Sequence, residues 1–260
     1  METNVSEQTI TQENRPEIKQ HFGKSFEIQN IKNGDLVPVG GNSIFSNKFD
    51  MEVVADFDNF KDFFEEAYKL VVESDLVDLK QKLDSKDMDI NEKLFSVMYA
   101  FSQKIGEKYF YNPEFYSSNR ETTRKNLYKE RDKTTKLSDI FGLNSEECAE
   151  IAILAQGFLQ SEGVSSSYFA GEVLWGEDHD YGEPHSFIII RENDKQYIYD
   201  PANPIINKRF PSIYSLDKDF DAEIAKGQKI FVTAKNLRNK NEAFFGAGNM
   251  TAVIPEKHIV

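Results

Sequence analysis

The sequence predicts an α+β fold, and three observations carry that prediction. Apolar residues recur at helical spacing in two stretches before residue 110 and again from Cys148 to Leu159. Beyond Gly163 the pattern changes to short β-rich runs at 165–175, 185–191 and 196–200, separated by turn residues. Helices that precede a run of strands, rather than alternating with them, pack on an antiparallel sheet.

Taken in order, residues 1–22 are polar, aperiodic and contain Pro16, the pattern of a disordered leader. Residues 23–136 form a loop-rich and helical N-terminal part. It opens with the Gly-, Pro- and Asn-bearing stretch at 33–42, which reads as loops with short strands. The first helix is capped by Asp58 and buries Phe60, Phe63, Phe64, Ala67, Leu70 and Val71. A second opens with the capping box Asp89-Ile90-Asn91-Glu92 and buries Leu94, Phe95, Met98, Phe101 and Ile105 against the first. Segment 119–136 then reverses the local charge, with seven basic residues against three acidic ones. A solvated face and a patch that recruits an acidic partner are both readings of it. Residues 137–260 form the core that carries the chemistry, integrated with 57–136 into one domain. Two further strands are expected at 229–235 and 250–254, and Phe245-Gly246-Ala247-Gly248-Asn249 reads as a turn.

A chain of 260 residues is long enough to bury a sizeable core. Its formal net charge of −13, from 44 acidic and 31 basic residues, argues against a general nucleic-acid binder, which needs a basic face. One cysteine excludes internal disulfides and Cys-rich zinc modules and fits a reducing compartment. No run of about 18 apolar residues and no secretory signal is seen, so a cytoplasmic protein with no membrane partner is expected, with export by a route that lacks such a signal left open.

That cysteine, Cys148, falls at the start of a helix expected over 145–161 and stopped by Gly163, on the apolar stripe Cys148, Ile151, Ala152, Ala155, Phe158 and Leu159. Asn144 or Ser145 is the expected cap, with Glu147 or Glu146 completing it. The N–H groups of the first turn and the positive end of the helix favour a thiolate and offer donors to an oxyanion. Glu146, Glu147 and Glu150 oppose the thiolate, weakly if they face solvent. His185 and Asp200 are linked by register. A turn at 192–195 that sets Arg191 opposite Gln196 puts Asp200 opposite Phe187, and so on one face with His185, about 7–8 Å away at the backbone. A shift of one residue would separate them completely. A cysteine under a helix start, followed by a histidine and an aspartate of matched parity, is the skeleton of a thiol acyl-transfer site.

The same residues carry a resemblance. The run Cys148-Ala149-Glu150-Ile151-Ala152 to Leu159, Gly163-Val164, Tyr168 to Val173, His185-Ser186-Phe187-Ile188-Ile189 and Tyr199-Asp200-Pro201 is similar to the core of the transglutaminase-like superfamily of papain-like cysteine enzymes. It covers about 137–204 and departs from the common pattern at Glu146, where a small residue is usual, and at Phe187, where tryptophan is. It implies a papain-like core, Cys148 as nucleophile, His185 as general base and acid, Asp200 as the residue orienting the imidazole, and no cofactor. Hydrolysis of peptide bonds or deamidation of glutamine is favoured over cross-linking, with a protein or peptide as substrate. Arylamine N-acetyltransferases share the order of the three residues but not the flanking glycines. A protein-binding scaffold without activity is the competing class. The acidic segment at 176–184 runs into His185, so Trp175, Asp178, His179 and Asp180 are read as substrate-binding at the site mouth. Asp178, His179, Asp180 and Glu183 lack the rigid spacing of a metal site, and no metal is assigned.

Overall fold

The computed structural model of the chain describes residues 24–39, 51–73, 90–110, 120–175, 182–205, 209–227, 230–250 and 256–257. The expected leader at 1–22, Asp89, and Asp178, His179 and Asp180 lie outside the described residues.

The chain opens with strands β1 (Lys24–Ile28), β2 (Asp35–Pro38) and β3 (Glu52–Val54), then a 3₁₀ turn (Phe57–Phe60) that leads into helix α1 (Lys61–Glu73). Asp58 sits inside that turn and pairs with Lys61 at 2.8 Å, so it precedes α1 instead of capping it. Helix α2 (Glu92–Ile105) runs on into a π turn (Gly106–Phe110). Its cap is Asn91, whose side chain accepts the N–H groups of Lys93 and Leu94 at 2.8 and 3.3 Å. The five apolar residues expected on its inner face are all buried. Helix α3 (Arg120–Glu130), strand β4 (Thr134–Lys136) and helix α4 (Leu137–Gly142) follow. The basic segment thus folds as helix and strand, and it is not wholly a solvated face, because Arg124 is buried.

Helix α5 (Cys148–Ser161) precedes strands β5 (Ser166–Trp175), β6 (Glu183–Glu192), β7 (Lys195–Ile205) and β8 (Phe210–Leu216). Short helix α6 (Phe220–Ala225), strands β9 (Ile230–Asn236) and β10 (Glu242–Ala247), and the two-residue strands β11 (Asn249–Met250) and β12 (Glu256–Lys257) complete the order. Strands β5 to β10 pair antiparallel in sequence, and β10 returns to β5, with Ala243 across from Trp175 and Gly246 across from Glu172. The result is a closed six-stranded antiparallel barrel. This corrects the expectation of a papain-like α+β core with helices packed on an antiparallel sheet.

The physical reason lies in two strands the sequence reading missed. No periodic signal marks β8, and the stretch containing Gly246 reads as a turn, whereas it is half of the closing strand β10. Its glycine serves the seam: a Cβ on Gly246 would stand 2.5 Å from the Phe231 ring and 2.6 Å from the Ile230 carbonyl oxygen. A Cβ on Gly171 would stand 2.4 Å from the Gly246 carbonyl oxygen. Two missing side chains let β5, β9 and β10 approach closely enough to remove the open edge. The other half of β5, from Tyr168 to Ala170, pairs with β1. A separate four-stranded sheet, in the order β12-β2-β3-β4, lies beside the N-terminal helices.

Alternation along the strands sorts the core into two clusters. Phe169, Phe187, Ile189, Ile198, Val232 and Phe245 fill the barrel, joined by Phe220 from α6. Phe187 is the hub, with ring centroids 5.1 Å from Phe169 and 5.0 Å from Phe245. The opposite parity, Tyr168, Ala170, Ile188, Ile190 and Tyr199, faces the helices. Helix α5 packs on β5, β6 and β7 there, and α2 on β7 and β8. Tyr199 fixes the second contact, its hydroxyl 2.7 Å from Ser102 Oγ and donating to the Met98 carbonyl at 3.2 Å. Strand β6 therefore reads as an unbroken apolar run because both of its faces are covered. Among the described residues no helix is long and apolar enough to cross a membrane.

Candidate functional site

Helix α5 begins at Cys148, but not by the expected cap. Asn144 adopts a left-handed conformation (φ 51°) and Ser145 donates its hydroxyl to the Ile140 carbonyl at 3.3 Å, so both residues terminate α4. The cap is Glu147, in a capping box with Glu150, whose Oε2 accepts the Glu147 N–H at 3.0 Å. The box occupies the N–H groups of Glu147 and Glu150 and leaves those of Cys148 and Ala149 as the first-turn donors. Cys148 remains partly exposed.

The hairpin register holds as expected. Arg191 pairs with Gln196 and Ile188 with Tyr199, so the next step along the strands sets Asp200 across from Phe187. Asn193 and Asp194, with φ of 49° and 63°, make the two-residue turn whose twist suits the strands. His185 Nε2 lies 2.8 Å from Asp200 Oδ2. The Cys148 side chain lies close enough to His185 to help hold its proton. With Nε2 committed to the carboxylate, Nδ1 is the nitrogen left for the sulfur. His185 is 7 % exposed and Asp200 0 %. Burial alone lowers a histidine's affinity for its proton, but the charge and hydrogen bond of Asp200, helped by Cys148, reverse this and hold His185 well above the ordinary imidazole range.

Asp200 is itself held. Its Oδ1 accepts the Ala202 N–H at 3.2 Å, and its Oδ2 accepts Asn203 Nδ2 at 3.0 Å. Asn203 Nδ2 also stands 3.5 Å from His185 Nε2. Strand β7 does not close at Asp200 as expected but continues to Ile205 through a register irregularity, which turns Asn203 back over the pair. The next residue of β6, Ser186, has its Oγ 3.1 Å from the Tyr168 hydroxyl.

The acidic residues near the cysteine do not all face solvent. Glu146 and Glu150 are 0 % exposed. Burial pushes the Glu146 carboxyl up to about 7, against the opposing pull of the Tyr109 hydroxyl and the Lys108 ammonium. Glu150 accepts Arg124 Nε at 2.8 Å, Arg124 Nη2 at 2.7 Å and the Tyr128 hydroxyl at 3.0 Å, all on Oε1.

Three of the expected site residues, Cys148, His185 and Asp200, are thus brought together. Trp175 ends β5 four positions beyond Gly171, the cross-strand partner of His185, roughly 13 Å further along the strand. Asn203, Arg124 and Tyr128 were missed. Asp200-Pro201 reads as an ordinary turn, and nothing in the spacing of 120–136 marks which base points inward. Among the described residues no group of three or more His, Cys, Asp or Glu is placed to hold a metal ion. Compared with known proteins, the chain matches no family model, no curated protein and no solved structure.

Proposed function

We propose that this chain is a cysteine-nucleophile enzyme of transglutaminase-like chemistry, acting on amide bonds of a protein or peptide through Cys148, His185 and Asp200. One observation carries the reading: a single imidazole that lies beside a partly exposed thiol and is hydrogen-bonded, at 2.8 Å, to a buried carboxylate, with the thiol at a helix start. Proton transfer from sulfur to His185 gives a thiolate and an imidazolium held by Asp200. The thiolate attacks the amide carbonyl carbon, and the oxyanion is received by the N–H groups of Cys148 and Ala149. His185 passes its proton to the leaving nitrogen, the C–N bond breaks and a thioester remains. Water, losing a proton to His185, then attacks the thioester, releasing acid and restoring the thiol. Hydrolysis, as protease or deamidase, is favoured over cross-linking because water needs no second binding site. The single cysteine makes the cytoplasm the proposed location.

The experiment is alkylation of the native protein by iodoacetamide at near-neutral pH, followed by peptide mass spectrometry. Cys148 is expected to label faster than a free cysteine, and His185→Ala to slow it at least about tenfold. Labelling no faster than free cysteine and indifferent to His185→Ala overturns the reading and leaves a protein-binding scaffold. Mass spectrometry of a peptide library incubated with wild type and Cys148→Ala then separates cleavage, a deamidation shift and a cross-link.

A further inference from the structure

We propose that Arg124 is a positioning residue for the Cys148 thiolate: from helix α3 it cancels the charge of Glu150 in the first turn of α5 and fixes that turn in place. The inference rests on the reading of Cys148 as a nucleophile. Glu150 lies two residues beyond Cys148 and is fully buried. A bare carboxylate there, out of water, would oppose a second negative charge on the sulfur and disfavour the thiolate by roughly one to three pH units. Arg124 removes that opposition. It is 5 % exposed, and its Nε and Nη2 grip Glu150 Oε1 at 2.8 and 2.7 Å. A third arm, Nη1, reaches Glu147 at 3.6 Å, and Nη2 lies 3.5 Å from the Val39 carbonyl. The guanidinium also lies over the Tyr128 ring, 5.2 Å from its centroid, while the Tyr128 hydroxyl closes the remaining approach to Oε1.

The surroundings show why this task falls to Arg124. Around the start of α5 stand Glu146, Glu147 and Glu150 from its own segment, Tyr168 from β5, His185 from β6, Asp200 from β7, and Arg124 and Tyr128 from α3. Lys108 and Tyr109, from the π turn, act on Glu146. His185 is committed to the sulfur and Asp200, which leaves the Glu147–Glu150 side to Arg124. A buried ion pair gains little stability over an apolar pair of the same volume. Its place in the first turn beside the thiol is therefore its informative property. Arg124 belongs to the N-terminal part of the chain, so that part completes the site electrostatically.

The test is the pH dependence of Cys148 alkylation by iodoacetamide in the full chain, with circular dichroism to report folding. Glu150→Gln is expected to move the half-maximal pH down by about one unit, and Arg124→Met to move it up by about one unit. The double variant Arg124→Met with Glu150→Gln is expected to return close to wild type. Opposite shifts that cancel in the double variant are a signature that a merely structural pair does not give. Should Arg124→Met not fold, Glu150→Gln alone decides, since Glu147 still faces the guanidinium. Shifts of the same sign, or none in folded protein, overturn the proposal. His185→Ala, run alongside, reports on the nucleophile reading separately, because that reading can hold while Arg124 and Glu150 prove silent.

Discussion

Asn203 donates to the Asp200 oxygen that also takes the His185 hydrogen bond, at 3.0 Å against 2.8 Å for the imidazole. The amide thus shares the carboxylate with the imidazole and covers the pair from the solvent side, since Asn203 is exposed where Asp200 is not. Asn203→Asp exchanges this donor for a second carboxylate within reach of the ring. The expected outcome is a rise of roughly one unit in the pH at which His185 titrates, followed by imidazole NMR. An unmoved midpoint would show that the side chain faces elsewhere in solution.

Asp200 reverses the effect of burial on His185, so removing its charge should expose that effect. In Asp200→Asn the imidazole is expected to titrate at or below the ordinary value of about 6.5. The sign for stability follows. In wild type the folded pKa lies above the unfolded one, so the contribution of His185 is complete below about pH 6.5 and is lost as pH rises through the folded value. Urea titrations of wild type and Asp200→Asn at pH 6 and pH 9 check this: the difference between the two proteins should shrink at the higher pH.

Glu146 runs in the same direction for a different reason. Its carboxyl is pushed up to about 7 by burial, above its unfolded value, so the folded chain binds a proton that the unfolded chain releases. Stability falls as pH rises from about 4.5 to 7, by on the order of 3 kcal/mol. Glu146→Gln keeps the volume and removes the charge. It is expected to be more stable than wild type at pH 8 and nearly equal at pH 4.5, by chemical denaturation.

At the barrel seam, Gly246→Ala places a methyl group 2.6 Å from the Ile230 carbonyl oxygen, which cannot swing away as a side chain could. The expected cost is about 1–3 kcal/mol or more. Gly157→Ala in α5 meets the Phe57 ring at 2.7 Å. A ring can rotate, so a smaller loss in melting temperature is expected there.

The parts of the site governed by local rules were legible. Turn chemistry at Asn193-Asp194 set the hairpin register, and that register alone set His185 and Asp200 on one face. The inner face of α2 followed from spacing. Barrel closure was not legible, because it depends on pairing between residues about 70 apart, and the glycine that permits it also reads as a loop. The cap of α5 was misassigned because Asn144 and Ser145 are good caps in isolation, but α4 ends on them first. Arg124 and Asn203 were invisible for the same reason. Which base of a charged helix turns inward, and where a strand bends, are decided by the partner surface and not by the segment itself.

The Phe245 ring lies 5.0 Å from Phe187, and Phe187 in turn stacks on the His185 imidazole at 6.4 Å. Residue 245 is made almost a hundred residues after Cys148 and sixty after His185. Cys148, His185 and Asp200 are thus all synthesised before the ring that backs Phe187. The aromatic wall behind the imidazole is therefore complete only once β10 has paired with β5 and closed the barrel.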